Sequence, residues 1–433
     1  MSKIAFLGAG SHGFGRKLVE DMLSFPELAE GTIHLVDPDA ERLEYIHALS
    51  RRMVREAGLP TRIAASAGRA EALDGADYVI ASIRAGQGFA PEAMDVGIPL
   101  EVGGLRQTVA DTVGIGGILK GLRTIPPMLD IARDMERLCP RALLLNYTNP
   151  MAMIQWAVFT ATTIRTVGLC HSVQHTSRQL AEYVGADHAR LCFLVAGINH
   201  LAWFLVLEQD GEDLYPRLRA CLDDPEIVAR DPVRFEIFRH FGRFVTESSR
   251  HMAEYVPYVL RDENEMARLN VPHSTGERFA RFDASRREAL AKAKAELETE
   301  PVPVRRSNEY AARILHAIET DTPYAFNGNV ANTGLIENLP QNCCVEVPCL
   351  VNRAGLQPCH VGALPPQCAA LSHSNVAMQE MVVRAVLEED REHVYHAAML
   401  DPNTAAQMTL PRIRETMDRL LAAQRDLLPR FLQ

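Results

Sequence analysis

The chain lacks the features of a membrane, secreted or nucleic-acid-binding protein. Its 433 residues contain no apolar run long enough to span a bilayer. They contain no block of Lys or Arg, and the formal net charge of −10 argues against nucleic acid as a partner. The opening sequence MSKIAFLGAG differs from a signal peptide because glycines interrupt a very short apolar run. We therefore expect a cytoplasmic protein without a membrane or nucleic-acid partner.

Cysteine pairs of the usual kinds are also missing. The cysteine count of nine is odd and no C-x-x-C occurs, which argues against a disulfide framework and a structural zinc module. No internal repeat, low-complexity segment or flexible linker is present, so the parts of the chain should pack against one another. With 47% hydrophobic and 23% charged residues, the composition is typical of a globular protein. Its length exceeds one ordinary hydrophobic core, and we expect two domains.

The sequence KIAFLGAGSHGFG predicts a strand followed by a glycine turn. Gly8, Gly10 and Gly13 satisfy the pattern G-x-G-x-x-G. In this pattern the glycines allow a tight turn, close approach of the backbone to a pyrophosphate, and close helix–strand packing. The helix predicted after the turn would point its free N–H groups at the phosphates. These residues therefore predict a dinucleotide site.

Asp37 ends the second predicted strand, TIHLVDPD. An acidic residue about 20 positions after the glycine turn is placed to bind the ribose hydroxyls of the dinucleotide. A carboxylate there favours NAD over NADP, because it repels a 2′-phosphate. The alternative is that Asp37 caps the helix that begins near Asp39.

The strand–helix alternation continues along the first half of the chain. Strands are predicted at 76–83, 141–150 and 163–170, and a helix at 124–138, which together indicate a doubly wound parallel sheet. Ligands of such sheets bind beyond the carboxyl ends of the strands. The polar residues at those ends are Asp37, Ser82, Asn146, Asn149, Cys170 and His171.

The second half of the chain has a mixed pattern. Residues 192–208 read as two strands around a turn, and 324–340 with 343–351 read as antiparallel strands. Long helices are predicted at 374–395 and 403–427. We therefore predict an α/β protein with a Rossmann-like domain in residues 1–170 and a mixed α+β domain in residues 171–433. This architecture resembles that of lactate and malate dehydrogenases.

Cys170 and His171 follow the strand at 163–170 and are a candidate metal pair. Neighbouring residues on a strand point to opposite faces, so they cannot easily bind one ion together. His200, in the turn of the strand pair at 192–208, is the better partner for Cys170. Two protein ligands would leave an open, catalytic metal site, and ligand softness favours Zn²⁺ or Fe²⁺. The alternative is a buried thiol and a hydrogen-bonded turn histidine.

Seven motifs, in order along the chain, resemble those of glycoside hydrolase family 4. They are GAGS at 8–11, ADT-G-GG at 110–117, NYTNPMAM at 146–153, GLCHSVQ at 168–174, AGINH at 196–200, FVTESS at 244–249 and LPQNCCVEV at 339–347. The resemblance extends from about residue 3 to residue 430. The tetrad CHSV is similar to that of the melibiase-type α-galactosidases, whereas the α-galacturonidase branch carries CHEV.

The resemblance implies hydrolysis of unphosphorylated α-glycosides, such as melibiose, without the usual pair of carboxylates. NAD⁺ would take hydride from sugar C3, a base would remove the acidified C2 proton, and the leaving group would depart by elimination. Water addition and return of the hydride would complete the hydrolysis with retention of configuration. Cys170 and His200 would hold the metal, which the resemblance makes Mn²⁺ or another divalent ion.

The resemblance also implies roles for other residues. Tyr255 is the preferred base at C2, with Tyr258 as the alternative, and each could instead be a core aromatic residue. Asp111 is the first candidate for the acid at the leaving oxygen and His171 the second. Asp111 could equally cap the helix-like run at 114–123.

Binding residues follow from the same motifs. Gly8, Gly10, Ser11, Asp37, Ser82 and Asn146 are predicted to bind NAD. Asn149, Asn199 and His171 are predicted to bind substrate, and Arg106 and Asn329 are further candidates. Two departures from the α-galactosidase pattern are Ile115, where proline is usual, and His175, where a small residue is expected.

Two other functions fit parts of the sequence. A hydroxy-acid dehydrogenase would share the fold but release NADH and need no metal, and the Cys170–His200 pair argues against it. An NAD-sensing regulator would need neither a base nor a metal. Within the resembling family, α-glucosidase and α-galacturonidase activities are the alternatives. A homodimer or homotetramer is expected.

Overall fold

A computed structural model describes residues 2–86 and 88–433. Its dominant feature in these ranges is one 12-stranded sheet with the order β3-β2-β1-β4-β5-β6-β10-β11-β7-β8-β9, and β12 pairs with β11. The first six strands are parallel: β1 (Lys3–Leu7), β2 (Thr32–Val36), β3 (Arg62–Ser66), β4 (Tyr78–Ala81), β5 (Leu143–Asn146) and β6 (Arg165–Gly168). The other six are β7 (Leu191–Ile198), β8 (Leu201–Gln209), β9 (Glu212–Asp213), β10 (Tyr324–Ala331), β11 (Cys344–Asn352) and β12 (Gly355–Pro358).

The parallel strands are apolar because helices cover both faces of the sheet. Strands β4 and β5 are buried at every position, and their sequences YVIA and LLLN are almost continuously apolar. Seven helices belong to this part: α1 (Phe14–Leu23), α2 (Ala40–Glu56), α3 (Ala70–Leu73), α4 (Ala90–Gly103), α5 (Gly114–Leu138), α6 (Met151–Ala161) and α7 (Ser172–Val184).

The second half adds antiparallel strands and further helices. These helices are α8 (Tyr215–Ala220), α9 (Pro225–Arg230), α10 (Pro232–Phe241), α11 (Ser249–Tyr255), α12 (Glu263–Arg268), α13 (Gly276–Thr299), α14 (Tyr310–Thr320), α15 (Pro366–Glu388), α16 (Arg391–Leu400), α17 (Pro402–Gln407) and α18 (Leu410–Ala423). No helix in the described ranges combines the length and apolar character needed to cross a membrane.

The two halves share the sheet and the core. Asn329 of β10 pairs with Gly168 of β6, and Glu346 of β11 pairs with Gly197 of β7. One cluster of buried apolar side chains extends from β1 to the C-terminal residues. The predicted fold class, a Rossmann-like parallel sheet with a mixed α+β part, is confirmed. A domain boundary at residue 170 stays a prediction.

Some predicted helix bounds are wrong. The helix predicted from residue 124 begins at Gly114, because its glycine-rich first turns pack closely on the residues before them: a Cβ at Gly116 would lie 2.6 Å from the Ala110 carbonyl oxygen. The closing helices are four rather than two. Glu389 has a left-handed φ of 56° and Asp390 caps α16, which separates it from α15. Prolines near the starts of α17 and α18 mark two further boundaries.

Candidate active site

The glycine turn brings the ends of β1, β2 and β4 together. Gly8 has a φ of 78°, and its N–H donates to the Val36 carbonyl at 2.8 Å. A Cβ at this position would lie 2.2 Å from the Ser82 carbonyl oxygen, so only glycine fits. The turn leads into α1, and the Phe14 N–H donates to the Ser11 hydroxyl at 3.3 Å. The predicted dinucleotide residues Gly8, Ser11 and Ser82 therefore lie at one edge of the sheet.

Asp37 binds the glycine turn rather than a helix. Its Oδ2 accepts a hydrogen bond from the Gly10 N–H at 2.9 Å. The cap of α2 is Asp39, which accepts from the Arg42 N–H, so the capping role considered for Asp37 belongs to Asp39. The Asp37 carboxylate thus lies beside the turn, where the ribose of a bound dinucleotide would lie.

The third glycine of the pattern does not have its predicted role. A Cβ built at Gly13 would meet no atom of the described residues within 4 Å. A Cβ at Gly15 would lie 2.1 Å from the Ala9 carbonyl oxygen. Close packing of α1 against the turn therefore requires Gly15, one residue into the helix, and not Gly13.

The polar strand ends beyond β4, β5 and β6 surround a cavity of about 260 Å³. Six of the predicted residues line it: Ser82, Asp111, Asn149, Cys170, His171 and His200. Phe14, Tyr147, Met151 and Leu169 supply its apolar wall. Residues from both halves of the chain thus meet where ligands of open α/β sheets bind.

Cys170 and His200 form the predicted pair. The Cys170 sulfur lies 3.3 Å from His200 Nε2, and both side chains are buried. His200 has a left-handed φ of 63° in the turn between β7 and β8, which turns its ring towards β6. His171 also lines the cavity, but its Nδ1 lies 3.9 Å from Glu309 Oε1. This geometry agrees with the expectation that the neighbouring side chains of Cys170 and His171 do not bind one metal ion together.

Glu247 and His251 are site residues that sequence reasoning missed. Both line the cavity, and His251 Nδ1 lies 2.9 Å from Glu247 Oε2. His251 Nε2 lies 3.4 Å from Asp111 Oδ1. One donor atom each from His200, Glu247 and His251 fall within 4.8 Å of one another, a grouping that could hold a metal ion. The cavity therefore offers more ligand atoms than the predicted Cys170–His200 pair.

Charges in the cavity are strongly coupled. Burial lowers the pKa of His251, but the carboxylates of Glu247 and Asp111 outweigh it, and the pKa lies well above its usual value. Burial raises the pKa of Asp111, but the Lys120 ammonium and the His251 ring outweigh this and hold it low. In the protein alone, Asp111 is thus an ionised partner of a protonated imidazole and a poor proton donor by itself.

The residues present fit a divalent metal. Burial lowers the pKa of His200, which favours the neutral imidazole that binds metals. Within the described residues, His200 Nδ1 and both carboxylate oxygens of Glu346 are buried without a hydrogen-bond partner. Glu346 is fully buried, and this burial, together with the nearby Cys170 and Glu247, raises its pKa well above the usual value. A cation in the cavity would compensate these groups, since buried charges are normally paired or bind metals.

Tyr255 lies behind the cavity wall. It is 1% exposed, and its hydroxyl donates to the Asn199 carbonyl at 3.2 Å, next to His200. Tyr258, the alternative base, is 49% exposed and packs near Phe241. Of the two tyrosines, only Tyr255 therefore lies at the site. The Asn199 side chain is buried and does not line the cavity.

The two asparagines after β5 have different positions. Asn149, joined to Pro150 by a cis peptide bond, lines the cavity. Asn146 is fully buried, and its Oδ1 accepts from the Thr148 N–H at 2.8 Å. Asn146 therefore shapes the turn that presents Asn149, while direct NAD binding by Asn146 stays a prediction.

A second cavity of about 310 Å³ adjoins the first through Ser82, Tyr147 and Asn149. Its walls include four cationic residues: Arg84, Lys120, Arg123 and Arg286. Lys120 Nζ lies 3.9 Å from Asp111 Oδ2, so it also faces the first cavity. Glu92 also lines this cavity and pairs with Arg84, and Arg123 pairs with Asp95, so Lys120 and Arg286 are the cations left to face an anionic group.

Other predicted residues lie at or beyond the cavity mouth. The rings of His171 and His175 lie 4.7 Å apart between centroids, so the unusual His175 is close to the first cavity, which His171 lines. Arg106 pairs with Glu263, and Asn329 donates to the Gly168 carbonyl. Neither Arg106 nor Asn329 lines a described cavity.

The missed acidic residue left one signal in the sequence. Glu247 belongs to FVTESS, a motif that carried the family resemblance, and His251 follows it by four residues. Glu247 itself has a left-handed φ of 72° and precedes α11, so the pair does not follow regular helical spacing. Only the folded structure shows that the segment with Glu247 and His251 lies next to Asp111 and His200.

The fold and the cavity define a dinucleotide-fold enzyme with a candidate metal site at the carboxyl ends of its strands. Residues 3–186 match the profile of the Family 4 glycosyl hydrolases, and residues 195–404 match their C-terminal domain. The chain is 42% identical to an alpha-galactosidase of Bacillus subtilis, over 100% of both chains. It belongs to family 4 of the glycosyl hydrolases.

Solved structures share the whole fold. A putative glucosidase, lplD from Bacillus subtilis, is 27% identical with a TM-score of 0.87, and the match covers 97% of this chain and 99% of that chain. A 6-phospho-beta glucosidase from Thermotoga maritima, solved with manganese, NAD⁺ and glucose-6-phosphate, is 22% identical with a TM-score of 0.81, over 98% and 99% of the two chains. The predicted family is thus confirmed, and the protein is a glycoside hydrolase acting on α-glycosides.

Proposed function

We propose that this protein hydrolyses unphosphorylated α-galactosides and that it needs NAD and a divalent metal, Mn²⁺ in the first instance. The observation that carries the proposal is the Cys170–His200 pair, 3.3 Å apart, in a cavity beside the glycine turn. The 42% identical alpha-galactosidase supports galactose as the sugar. In the tetrad CHSV, Ser172 stands where the α-galacturonidase branch carries Glu, so the resemblance favours galactose over galacturonate.

The residues present suit both NAD and a divalent metal. Gly8, Gly10, Ser11 and Asp37 would hold NAD, with the phosphates at the start of α1. Cys170 and His200 would hold the metal, with Glu247 as a further oxygen donor. When bound, the nicotinamide supplies reversible oxidation at sugar C3, and the metal supplies positive charge beside the sugar oxygens.

Tyr255 is the proposed base for the proton at sugar C2. Its hydroxyl lies against the Asn199 carbonyl, one residue from His200, which places it beside the metal ligands. Burial raises the pKa of Tyr255 well above its usual value in the protein alone. Positive charge in the cavity would oppose that shift and favour the phenolate that a base requires.

The Asp111–His251 pair is the proposed proton donor to the leaving oxygen. Asp111 was the first candidate from the sequence, and its Oδ1 lies 3.4 Å from His251 Nε2, close enough for the two groups to share a proton. Such a coupled pair releases that proton as a unit rather than from one residue. His171 is the alternative donor, since its ring also lines the cavity. Asn149 and His171 would bind the sugar hydroxyls.

Omission assays test the proposal. Hydrolysis of p-nitrophenyl α-galactoside, α-glucoside and α-galacturonide should be measured with NAD⁺, Mn²⁺ and a thiol reductant, then with each left out. We expect cleavage of the galactoside that is lost without NAD⁺ or without metal. Cleavage that persists without both would contradict the mechanism, and preference for another glycoside would correct the sugar.

A further inference from the structure

The loop that carries Asp111 has a conformation that needs external support. It connects α4 to α5, and Ala110 in it has a φ of 58°, which residues other than glycine rarely adopt. Thr108 and Ala110 are buried, so their backbone groups need partners within the protein. The interactions that satisfy this backbone therefore determine where Asp111 lies.

Glu254 of α11 satisfies three consecutive N–H groups of this loop. Its Oε1 accepts from Thr108 at 2.7 Å and from Val109 and Ala110 at 3.1 Å, and its Oε2 lies 3.2 Å from the Ala110 nitrogen. Consecutive N–H groups that converge form an anion-binding hollow. Here a fully buried carboxylate of the same chain occupies that hollow, with charge-assisted hydrogen bonds.

The same helix holds the loop at two further points. Arg250 accepts from the Thr108 hydroxyl at 2.6 Å through its carbonyl, and its guanidinium donates to the Thr108 carbonyl at 2.8 Å. His251 lies 3.4 Å from the Asp111 carboxylate. One turn of α11 thus contacts the loop backbone before Ala110 and the side chain of Asp111 after it.

Glu254 does not act on substrate directly. It lines neither of the two described cavities at the site, and both of its oxygens contact backbone N–H groups. Its hydrogen bonds are with residues 108–110 of the loop, and its charge also acts on the pKa of the neighbouring Tyr255, so the test must separate an effect through Asp111 from an effect on Tyr255.

We propose that Glu254 is a positioning residue, whose carboxylate fixes the backbone of residues 108–110 and thereby holds Asp111 against His251. The proposal rests on the proposed function only for the role of the Asp111–His251 pair. The position of the loop can be measured without any substrate.

The decisive experiment is a double-mutant cycle of Glu254→Gln and Asp111→Asn in the full chain with NAD⁺ and Mn²⁺. Assays at pH 8 keep the carboxylate ionised, since burial raises the pKa of Glu254 to about 7. Glutamine keeps one acceptor oxygen but loses the charge, and its amide group would face the Ala110 N–H. We expect kcat on p-nitrophenyl α-galactoside to fall at least about tenfold with Asp111 present. With Asn at position 111, the same change should have almost no further effect.

A purely structural role predicts a different result. In that case the two losses would multiply, and the proposal would be wrong. Unchanged kcat in Glu254→Gln would overturn it as well. Glu415→Gln, at a half-exposed site in a surface ion pair, is the matched control and should behave like wild type.

Hydrogen exchange separates this proposal from the proposed function. The amides of residues 108–110 should exchange faster in Glu254→Gln than in wild type, whichever glycoside the enzyme cleaves. Unchanged exchange would show that Glu254 does not fix the loop. If Glu254→Gln does not fold, Glu254→Asp, which keeps the charge on a shorter side chain, takes its place in both measurements with the same expected direction. If the wild-type protein hydrolysed none of the three glycosides, only the proposed function would be contradicted, and the exchange result would still decide the role of Glu254.

Discussion

The sulfur of Cys170 lies 3.3 Å from Nε2 of His200, although 30 positions separate the two residues in the chain. Cys170 follows β6 and His200 turns the chain between β7 and β8, and these strands are joined through β10 and β11 in the sheet. The pair thus depends on the contact between the two halves of the molecule. Its function can be tested by removing one partner at a time.

Substitution of the pair should remove metal binding. We expect Cys170→Ser and His200→Asn each to lower the affinity for Mn²⁺ at least about 100-fold, because loss of mere supporting groups around metal ligands already costs ~10–100-fold. Calorimetric titration of the NAD-loaded protein measures the affinity directly. Cys192→Ser, at an exposed cysteine, is the control. Unaltered Mn²⁺ affinity in both site variants would contradict the assignment.

The second prediction compares Tyr255, the proposed base, with Tyr258, the alternative considered from the sequence. Tyr255→Phe should lower kcat at least about 100-fold, since general-base catalysis contributes ~10²–10⁴-fold. Tyr258→Phe should leave kcat near wild type, because that side chain is half exposed. Thermal unfolding must be compared as well, since Tyr255→Phe also removes the hydrogen bond to Asn199. Equal effects of the two substitutions would reject Tyr255 as the base.

Local sequence signals predicted the first half of the fold well. Residues close in sequence determine the conformation of the strand before the glycine turn, of the turn itself and of the segment that carries Asp37. Buried parallel strands are recognised in a sequence as continuous apolar runs. The strand ends were therefore predictable as a set, and their meeting point followed from the rule for parallel sheets. Cys170 is placed by this rule, and His200 was predicted as its partner because it lies at the turn of another strand pair.

The remaining site residues depend on contacts distant in sequence. Nothing near Glu254 indicates that it binds the N–H groups of residues 108–110, because 144 positions separate it from Ala110. Glu247 adopts a left-handed backbone that no local pattern requires. The helix-like run at 114–123 and the helix predicted from 124 form one helix, α5, because packing of its first turns overrides the low helix propensity of three glycines.

The glycine turn offers a prediction with a control inside the same motif. A Cβ at Gly10 would lie 2.7 Å from the Asp37 carboxylate, whereas a Cβ at Gly13 would meet no atom of the described residues within 4 Å. Gly10→Ala should therefore displace Asp37 and raise the dissociation constant for NAD⁺ at least about tenfold, a loss of ~1.4 kcal/mol. Gly13→Ala should bind NAD⁺ like wild type. Fluorescence titration with NADH measures both, and weak binding by Gly13→Ala alone would contradict this account of the turn.

The last prediction concerns the pH dependence of stability, and it follows from the buried carboxyl group of Glu346, which has no hydrogen-bond partner among the described residues. Burial raises its pKa well above the usual 4.5, so the folded state binds this proton more tightly than the unfolded state. The metal-free protein should therefore lose stability as pH rises above about 4.5 and until it passes the folded pKa. Glu346→Gln imitates the protonated form, so its advantage in free energy of unfolding should be small at pH 5 and reach about 1–3 kcal/mol at pH 8. Urea unfolding of both proteins without metal measures this, and saturating Mn²⁺ should shrink the difference because the cation compensates the wild-type carboxylate. An advantage that is the same at pH 5 and pH 8 would show that Glu346 is not a buried, uncompensated acid.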